Sequence, residues 1–569
     1  MASGEAKLFR CIKAGRIVRF IPSWNNPVEL IEPWARSKPG RPAVSGWIEN
    51  KRFISRTYCQ LLRRIFVIAK ALSEQPDHRL AILCGSHVAT AESVLSALAA
   101  DRQFVMIDLL RKPVDLQWFK FADSRADVAV IPAIDEMPDA LVDRISQLRR
   151  DYPGVKIWSV GENPLAELNL LAAVAEGTRL GHLPYSPDAW TRPAALLYSP
   201  GRHGSPRGFF YQPTALCANL CAVASWLKLT PRSRFLLATE LDSCDGIIPL
   251  LATLSAGGAA IIHPNVDGGN FWKIIPECDA DLVRAKPSLI EELLENNPRL
   301  ATINRSNLKF LITGSAYLPR QIGLRFFETF DLPILQCYGT AETGGYVLGM
   351  SPGLSWREYE LALRDNIVGQ ELDYCNVKVK SEPVTLERAT PINEGILQVR
   401  GHVVSCGQWD GNEIHYWTEP WINTPDMAVG SPWQDQQHFQ VRGRLEDTIL
   451  VDNQRFWPAF IERSILDTFQ FLRDCVAMTL PHPDGRNRLC AIVVLPSDVP
   501  PHRRSELMAL MEARFEAGGV SGLNDKSTPK ELIPLDERQV PRQYDGHPDR
   551  QQLHQLILQQ TTRQGLAAS

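Results

Sequence analysis

No sign of charge dominates this chain. Its 61 Lys and Arg face 64 Asp and Glu, leaving a formal net charge of −3, so it lacks the basic field that nucleic acid or an anionic membrane would require. The 12 cysteines include no CxxC pair and no histidines at ligand spacing, which signals neither a zinc site nor a disulfide frame. Cys217 and Cys221, at i and i+4 of an expected helix, read as small buried hydrophobes. Free thiols of this kind suit a reducing, cytoplasmic setting. A long apolar run is missing too. Charges interrupt the N-terminal segment before it reaches signal-peptide length. The longest weakly polar stretch, 246–264, holds Pro249 and the pair Gly257 and Gly258, which suit a buried helix, a turn and a strand better than a membrane span. No glycine loop ends in GK[ST], which sets aside a P-loop ATPase or kinase.

What is present is a long chain with a regular rhythm. At 569 residues it exceeds one hydrophobic core, so several domains are expected. An amphipathic helix over 58–72 is followed by an apolar strand at 80–84, a helix at 89–100 and a strand at 104–107. The rhythm returns in strands at 235–238, 259–263, 308–313 and 334–337. Strands alternating with helices predict an α/β fold of doubly wound sheets. Beyond about 369, short alternating strands take over (GILQVRG at 395–401, HFQVRGR at 438–444), predicting a β-rich subdomain over 370–444 that closes a large body, 1–444. A strand at 448–451, a helix at 458–469, a strand at 491–495 and a helix at 505–515 then predict a small α+β C-terminal domain, 445–569.

The segment YSPGRHGSPRG at 198–208 follows a strand-like apolar lead. Gly201, Gly204 and Gly208 let backbone N–H groups point into one concavity, and Arg202, His203 and Arg207 bring charge that an ordinary turn does not need. The segment reads either as an anion-wrapping loop or as a solvated turn rich in Gly and Pro. Two further segments bear on the choice: LKFLITGSAYLP at 308–319 and LPILQCYGTAETGG at 332–345.

Together the three segments resemble, in order, the TSG[ST]TGxPKG, GG/GSxxLP and YGxTE motifs of the adenylate-forming superfamily of acyl-CoA synthetases, peptide-synthetase adenylation domains and luciferases. The resemblance runs almost end to end. GILQVRG at 395, WINTPDM at 421, GRLEDTILVDNQRFWPAFIE at 443 and VPRQYDGHPDR at 540 stand where the family has GELxVRG, a TGD turn, GRxDDxIKxxGxRIxPxEIE and LPKTxxGKIxR. It implies activation of a carboxylic acid by ATP and Mg²⁺ to an acyl-adenylate. The acyl group then passes to the thiol of CoA or of the phosphopantetheine on an acyl or peptidyl carrier protein. A mobile C-terminal lid domain is implied as well. The chemistry needs the triphosphate charge neutralised and a mixed anhydride kept from water.

By the same resemblance, Ser199, Gly201, Arg202, His203, Gly204, Arg207 and Gly208 surround the β and γ phosphates. Tyr338 stacks on adenine, with Gly339 beside it and with Gly314, Ser315 and Ala316 across the base. Glu342 holds Mg²⁺ near the phosphates, Asp426 accepts both ribose hydroxyls and Arg444 contacts the same sugar. Glu446 matches the acidic hinge about which the small domain swings. On the substrate side, Ser243 takes a position that is often aromatic or histidine. The flanking Asp242 and Asp245 either hold a substrate amine or cap a helix.

The departures from the family pattern gather at the phosphates. Pro200, Arg202 and His203 replace hydroxyl residues, Pro200 deletes a backbone donor, and Arg207 replaces the loop lysine. Ala341 stands where the family has a threonine or serine, so either Thr340 supplies that hydroxyl or it is missing. His547 takes the place of the lysine that bridges the substrate carboxylate and the α-phosphate, and Asn453 replaces a glycine beside the pantetheine channel. A catalytically degenerate or repurposed homologue, binding nucleotide or acyl groups for a synthase complex, is therefore the rival expectation to an active ligase in a biosynthetic pathway.

Overall fold

The computed structural model describes the chain outside residues 1–8, 14–15, 21–25, 49–51, 112, 173–188, 200–205, 264, 297–306, 315–317, 319, 366, 382–392, 434–435, 452–453, 470, 482–486, 498, 521–522, 524–526, 542–547 and 568–569. It divides into two compact units. The first comprises Met1–Lys378, Gln398–Thr424 and Pro432–Phe439; the second comprises Val379–Leu397, Pro425–Ser431 and Gln440–Ser569.

Two nine-stranded sheets form the frame of the first unit. In one, Ala195–Tyr198 lies parallel to Phe104–Met106, and the parallel order continues through Leu80–Ile82, Val128–Ile131 and Lys156–Ser159. On the other flank of Ala195–Tyr198 an antiparallel strand, Gly208–Tyr211, is added, and Gly407–Trp409 pairs with that. In the second sheet the parallel run is Ile334–Tyr338, Phe310–Thr313, Leu282–Arg284, Arg234–Leu237, Ala259–Ile262 and Pro42–Ile48. These central strands are buried along nearly their whole length, which explains why their sequences are continuous apolar runs rather than alternating ones. The 246–264 stretch resolves into the helix Cys244–Ser255, a turn and the strand Ala259–Ile262. Among the described residues no helix is long and apolar enough to cross a membrane.

Local chemistry sets the element boundaries. Helix Tyr58–Ser73 starts on a capping box in which Thr57 and Gln60 satisfy each other's backbone donors. Its first side chain, Tyr58, is fully buried, and its hydroxyl lies 2.9 Å from the Leu254 carbonyl and 2.8 Å from that of Gly258. One phenol thus fixes this helix to the turn between Cys244–Ser255 and Ala259–Ile262. Gly257 in that turn has φ +77, and a Cβ there would lie 2.6 Å from the Trp34 ring, so the turn needs glycine for conformation and for space.

In the second unit, Asp474–Pro481, Asn487–Leu495 and Glu531–Asp536 form a three-stranded sheet, antiparallel then parallel. Helices Pro458–Thr468, Pro501–Glu516 and Arg550–Ala567 belong to the same unit. Arg550 meets both oxygens of Glu462, at 2.6 and 2.9 Å, and both residues also bond the Ala477 backbone. A further four-stranded sheet runs in the order Cys375–Ser381, Asn393–Gly401, Ile422–Trp433, Gln436–Arg444.

Replacing Tyr58 by Phe removes the hydroxyl donor that the Leu254 and Gly258 carbonyls share in a closed interior, leaving the Leu254 carbonyl to the Gly257 amide. The expected loss is about 1–3 kcal/mol of unfolding free energy, read as a lower denaturant midpoint at unchanged slope.

Candidate functional site

The glycine loop sits on a closed neck. Tyr198 pairs with Gly208 across the antiparallel ladder. One step further, the Ser199 amide donates to the Arg207 carbonyl at 2.8 Å and the Arg207 amide to Ser199 Oγ at 3.0 Å. Gly208 has no room for a side chain, since a Cβ would fall 2.9 Å from Leu196 and 3.2 Å from Tyr198. Pro200, Gly201, Arg202, His203 and Gly204, expected around the phosphates, lie outside the described residues. So do Ser315, Ala316, Asn453 and His547 and, as a side chain, Glu446.

From this neck Arg207 reaches the third motif: its Nη2 lies 3.2 Å from Glu342 Oε1. Glu342 is nearly buried, with its side chain 7% exposed, whereas that of Arg207 is 47% exposed. The turn bearing Glu342 has its own construction. Thr340 N donates to Thr343 Oγ1 at 3.0 Å, and the Thr340 carbonyl accepts from the amides of Thr343 and Gly345. Gly339 admits no other residue, because a Cβ there would lie 1.2 Å from the Gly345 carbonyl oxygen. Gly314 and Tyr338 end neighbouring parallel strands, and a Cβ on Gly314 would meet Cys337 Sγ at 2.6 Å and its carbonyl at 2.7 Å. The structure therefore brings Ser199, Arg207, Gly208, Thr340 and Glu342 together, and sets Gly314 and Tyr338 at adjacent strand ends. Parallel sheets bind ligands at the carboxyl ends of their strands, which is where these residues stand. Glu342 and Thr340 offer hard oxygen donors of the kind Mg²⁺ takes. Asp426 and Arg444 belong to the second unit. Both are half-buried and lie within strands, Ile422–Trp433 and Gln436–Arg444, rather than in a turn.

The acidic residues at the start of helix Cys244–Ser255 are engaged differently from either expectation. Ser243 occupies the cap position and makes no side-chain cap bond. Asp242 is buried and meets Arg111 at 2.5 Å and Lys120 Nζ at 3.4 Å. Burial pushes its pKa up, but the two cations outweigh burial and hold it below the usual carboxylate value. Asp245 is paired by Arg284, whose Nη2 lies 2.6 and 2.5 Å from its two oxygens. Arg284 is fully buried; its Nη1 donates to the Ala285 and Ile312 carbonyls, and Nε also reaches Tyr346 Oη at 3.1 Å. Burial opposes this guanidinium's charge, and Asp245 more than restores it, so its pKa is raised. Both aspartates thus carry protein cations.

Sequence reasoning missed Arg111, Arg284, Tyr211, Tyr346 and Ser405. A signal existed for Arg284, a lone cation closing the apolar run before Ala285. None existed for the others, whose partners are far away along the chain.

Asp245→Ala strands the Arg284 charge in a dry interior. The expected cost is about 3–5 kcal/mol, visible in denaturant unfolding and larger than the effect of truncating an exposed pair such as Arg52 with Asp135.

Comparison with known proteins identifies the family. The AMP-binding enzyme family model matches residues 31–409. A feruloyl-CoA synthase of Amycolatopsis is 24% identical over 469 residues, covering 81% of this chain and 87% of that protein. An indoleacetate–CoA ligase of Aromatoleum aromaticum is 23% identical over 373 residues, 65% of this chain and 68% of the relative. Among solved structures, the amide bond synthetase McbA of Marinactinospora thermotolerans superposes with a TM-score of 0.75 at 22% identity, over 93% of this chain and 99% of that one. Motif order, the meeting of Arg207 with Glu342 and the span of the family match lead to one conclusion: this chain belongs to the AMP-binding enzymes, the adenylate-forming superfamily.

Proposed function

We propose that this chain is an ATP-dependent acid–thiol ligase that activates a small carboxylic acid bearing no ammonium group and transfers it to coenzyme A. The observation that carries the reading is the pairing of Arg207 with Glu342 at the neck of the glycine loop. It sets a cation for the triphosphate beside a carboxylate suited to its Mg²⁺. In the first step a carboxylate oxygen of the acid attacks the α-phosphorus of ATP and pyrophosphate leaves. In the second the thiol sulfur attacks the acyl carbon, AMP leaves and the thiol proton goes to solvent. Mg²⁺, when bound, neutralises charge on the phosphates. Tyr338, Gly314 and Gly339 frame the adenine, Asp426 and Arg444 hold the ribose, and His547 takes the lysine's task of bridging the substrate carboxylate and the α-phosphate.

The substrate class follows from the aspartates. An ammonium seeks an unpaired carboxylate, and Asp242 and Asp245 are already matched by Arg111, Lys120 and Arg284. That leaves aryl and hydroxy acids ahead of amino acids. Feruloyl- and indoleacetate-CoA ligases among the relatives favour an aryl acid and CoA as the acceptor. The amide bond synthetase makes amines a third acceptor to try, beside the phosphopantetheine of a carrier protein in a biosynthetic pathway.

A second reading, a nucleotide- or acyl-binding homologue without turnover, is favoured by one contact. Arg207 already occupies an oxygen of Glu342, so a metal ion must compete with it.

The test is acid-dependent exchange of pyrophosphate into ATP over a panel of aryl, hydroxy and amino acids, followed by product analysis with CoA, carrier protein and amines. Aryl or hydroxy acids are expected to support exchange and amino acids are not. Exchange with amino acids alone would overturn the assignment of substrate class. No exchange from a folded protein that still shows an ATP-dependent thermal shift would select the second reading. His547→Ala is expected to abolish exchange, while gain of exchange only in His547→Lys would mark the natural chain as degenerate.

A further inference from the structure

The turn that carries Glu342 is held from beneath by a residue outside every motif. Tyr211 ends the strand Gly208–Tyr211 and is fully buried. Its hydroxyl donates to the Ala341 carbonyl and accepts the Gly344 amide at 3.0 Å. Side chains alternate along a strand, and the ladder continues through Arg207 by its bond from Ser199. Arg207, Phe209 and Tyr211 therefore share one face. One strand thus sends a guanidinium to the Glu342 carboxylate and a phenol to the backbone on both sides of Glu342.

Two further carbonyls of the turn are also taken. The Thr340 carbonyl accepts from Thr343 N at 3.1 Å and Gly345 N at 3.2 Å. The Glu342 carbonyl accepts Ser405 N at 3.1 Å and Ser405 Oγ at 2.8 Å. With these carbonyls of the turn occupied, its side-chain oxygens for a ligand are the Glu342 carboxylate and the Thr340 hydroxyl, the latter 3.4 Å from Thr343 Oγ1. Their aim is set by the anchors. Drift away from Tyr211 is blocked at Gly344, where even a Cβ would lie 2.1 Å from the Val403 carbonyl. Tyr211 hydrogen-bonds the turn both before and after Glu342. Burial pushes its pKa well up, so the proton that Ala341 needs stays on the phenol.

We propose that Tyr211 is a positioning residue of the nucleotide site: its hydroxyl fixes the 340–345 turn so that the Glu342 carboxylate stands within reach of both Arg207 and the metal ion accompanying ATP. This rests on the reading of Glu342 given under Proposed function.

The test compares Tyr211→Phe with Tyr58→Phe in the full chain. Tyr58 is an equally buried phenol bonded to two carbonyls in a different part of the first unit, so it controls for stability alone. In hydrogen-exchange mass spectrometry of the wild type, the peptide containing Gly344 is expected to be protected. Tyr211→Phe should speed its exchange about tenfold, the loss expected for a hydrogen-bonded bridge, and Tyr58→Phe should leave it unchanged. In pyrophosphate exchange, Tyr211→Phe should raise the KM for Mg·ATP about tenfold with the KM for the acid unmoved, a split that a fall in stability does not produce. An unprotected Gly344 amide in the wild type overturns the proposal even if the variant fails to fold. So does unchanged exchange of that peptide in Tyr211→Phe, or an equal rise of the Mg·ATP KM in both variants. A wild type silent with every acid refutes the ligase reading, while the exchange measurement still decides the role of Tyr211.

Discussion

The first unit is organised around a charge that has no access to water. Arg284 closes the strand Leu282–Arg284 and is the largest fully buried side chain among the described residues. A guanidinium in that position is tolerable only if its N–H groups all find oxygen. Asp245, Tyr346 and the carbonyls of Ala285 and Ile312 supply it. Those partners come from the helix Cys244–Ser255, from the segment after the Glu342 turn and from the neighbouring strand Phe310–Thr313. One unpaid desolvation would therefore be felt in three elements, and this ties the start of helix Cys244–Ser255 to the segment that follows the Glu342 turn. A buried pair of this kind adds little net stability over an apolar substitute, but it penalises every arrangement in which the pair is broken.

A second consequence is electrostatic. Asp242 is matched by Arg111 and Lys120 and Asp245 by Arg284, so neither carboxylate at the start of helix Cys244–Ser255 is left bare. On the proposed function, specificity there rests on shape and hydrogen bonding rather than on attraction between an ammonium and a free carboxylate. That is the kind of site that distinguishes neutral acyl groups by the polar groups it would leave unpaired.

The sequence made the scaffold legible because the central strands are buried on both faces and so read as apolar runs. Helix Tyr58–Ser73 and strand Ile334–Tyr338 lie within a residue of their expected ends. Motif glycines were legible for the same physical reason that they exist: Gly339 and Gly314 stand where a Cβ would enter a neighbouring carbonyl. Partnership was not legible. Asp242 reads as a bare acid until Arg111 is placed beside it, and Tyr211 reads as one more aromatic of an apolar strand until its hydroxyl is seen between Ala341 and Gly344. Contacts between residues more than a hundred positions apart leave no local pattern to read.

The glycine loop leads into the antiparallel strand Gly208–Tyr211; the next helix, Pro213–Trp226, opens only after that strand. A loop that leads directly into a helix borrows the partial positive charge of the helix terminus to hold phosphate. On the proposed function, the charge this loop brings to polyphosphate includes that of Arg207, which is half open to solvent. Counter-ions screen charge of that kind strongly. On that reading, nucleotide affinity in this chain is tied to ionic strength, and the salt content of its surroundings becomes a control on occupancy.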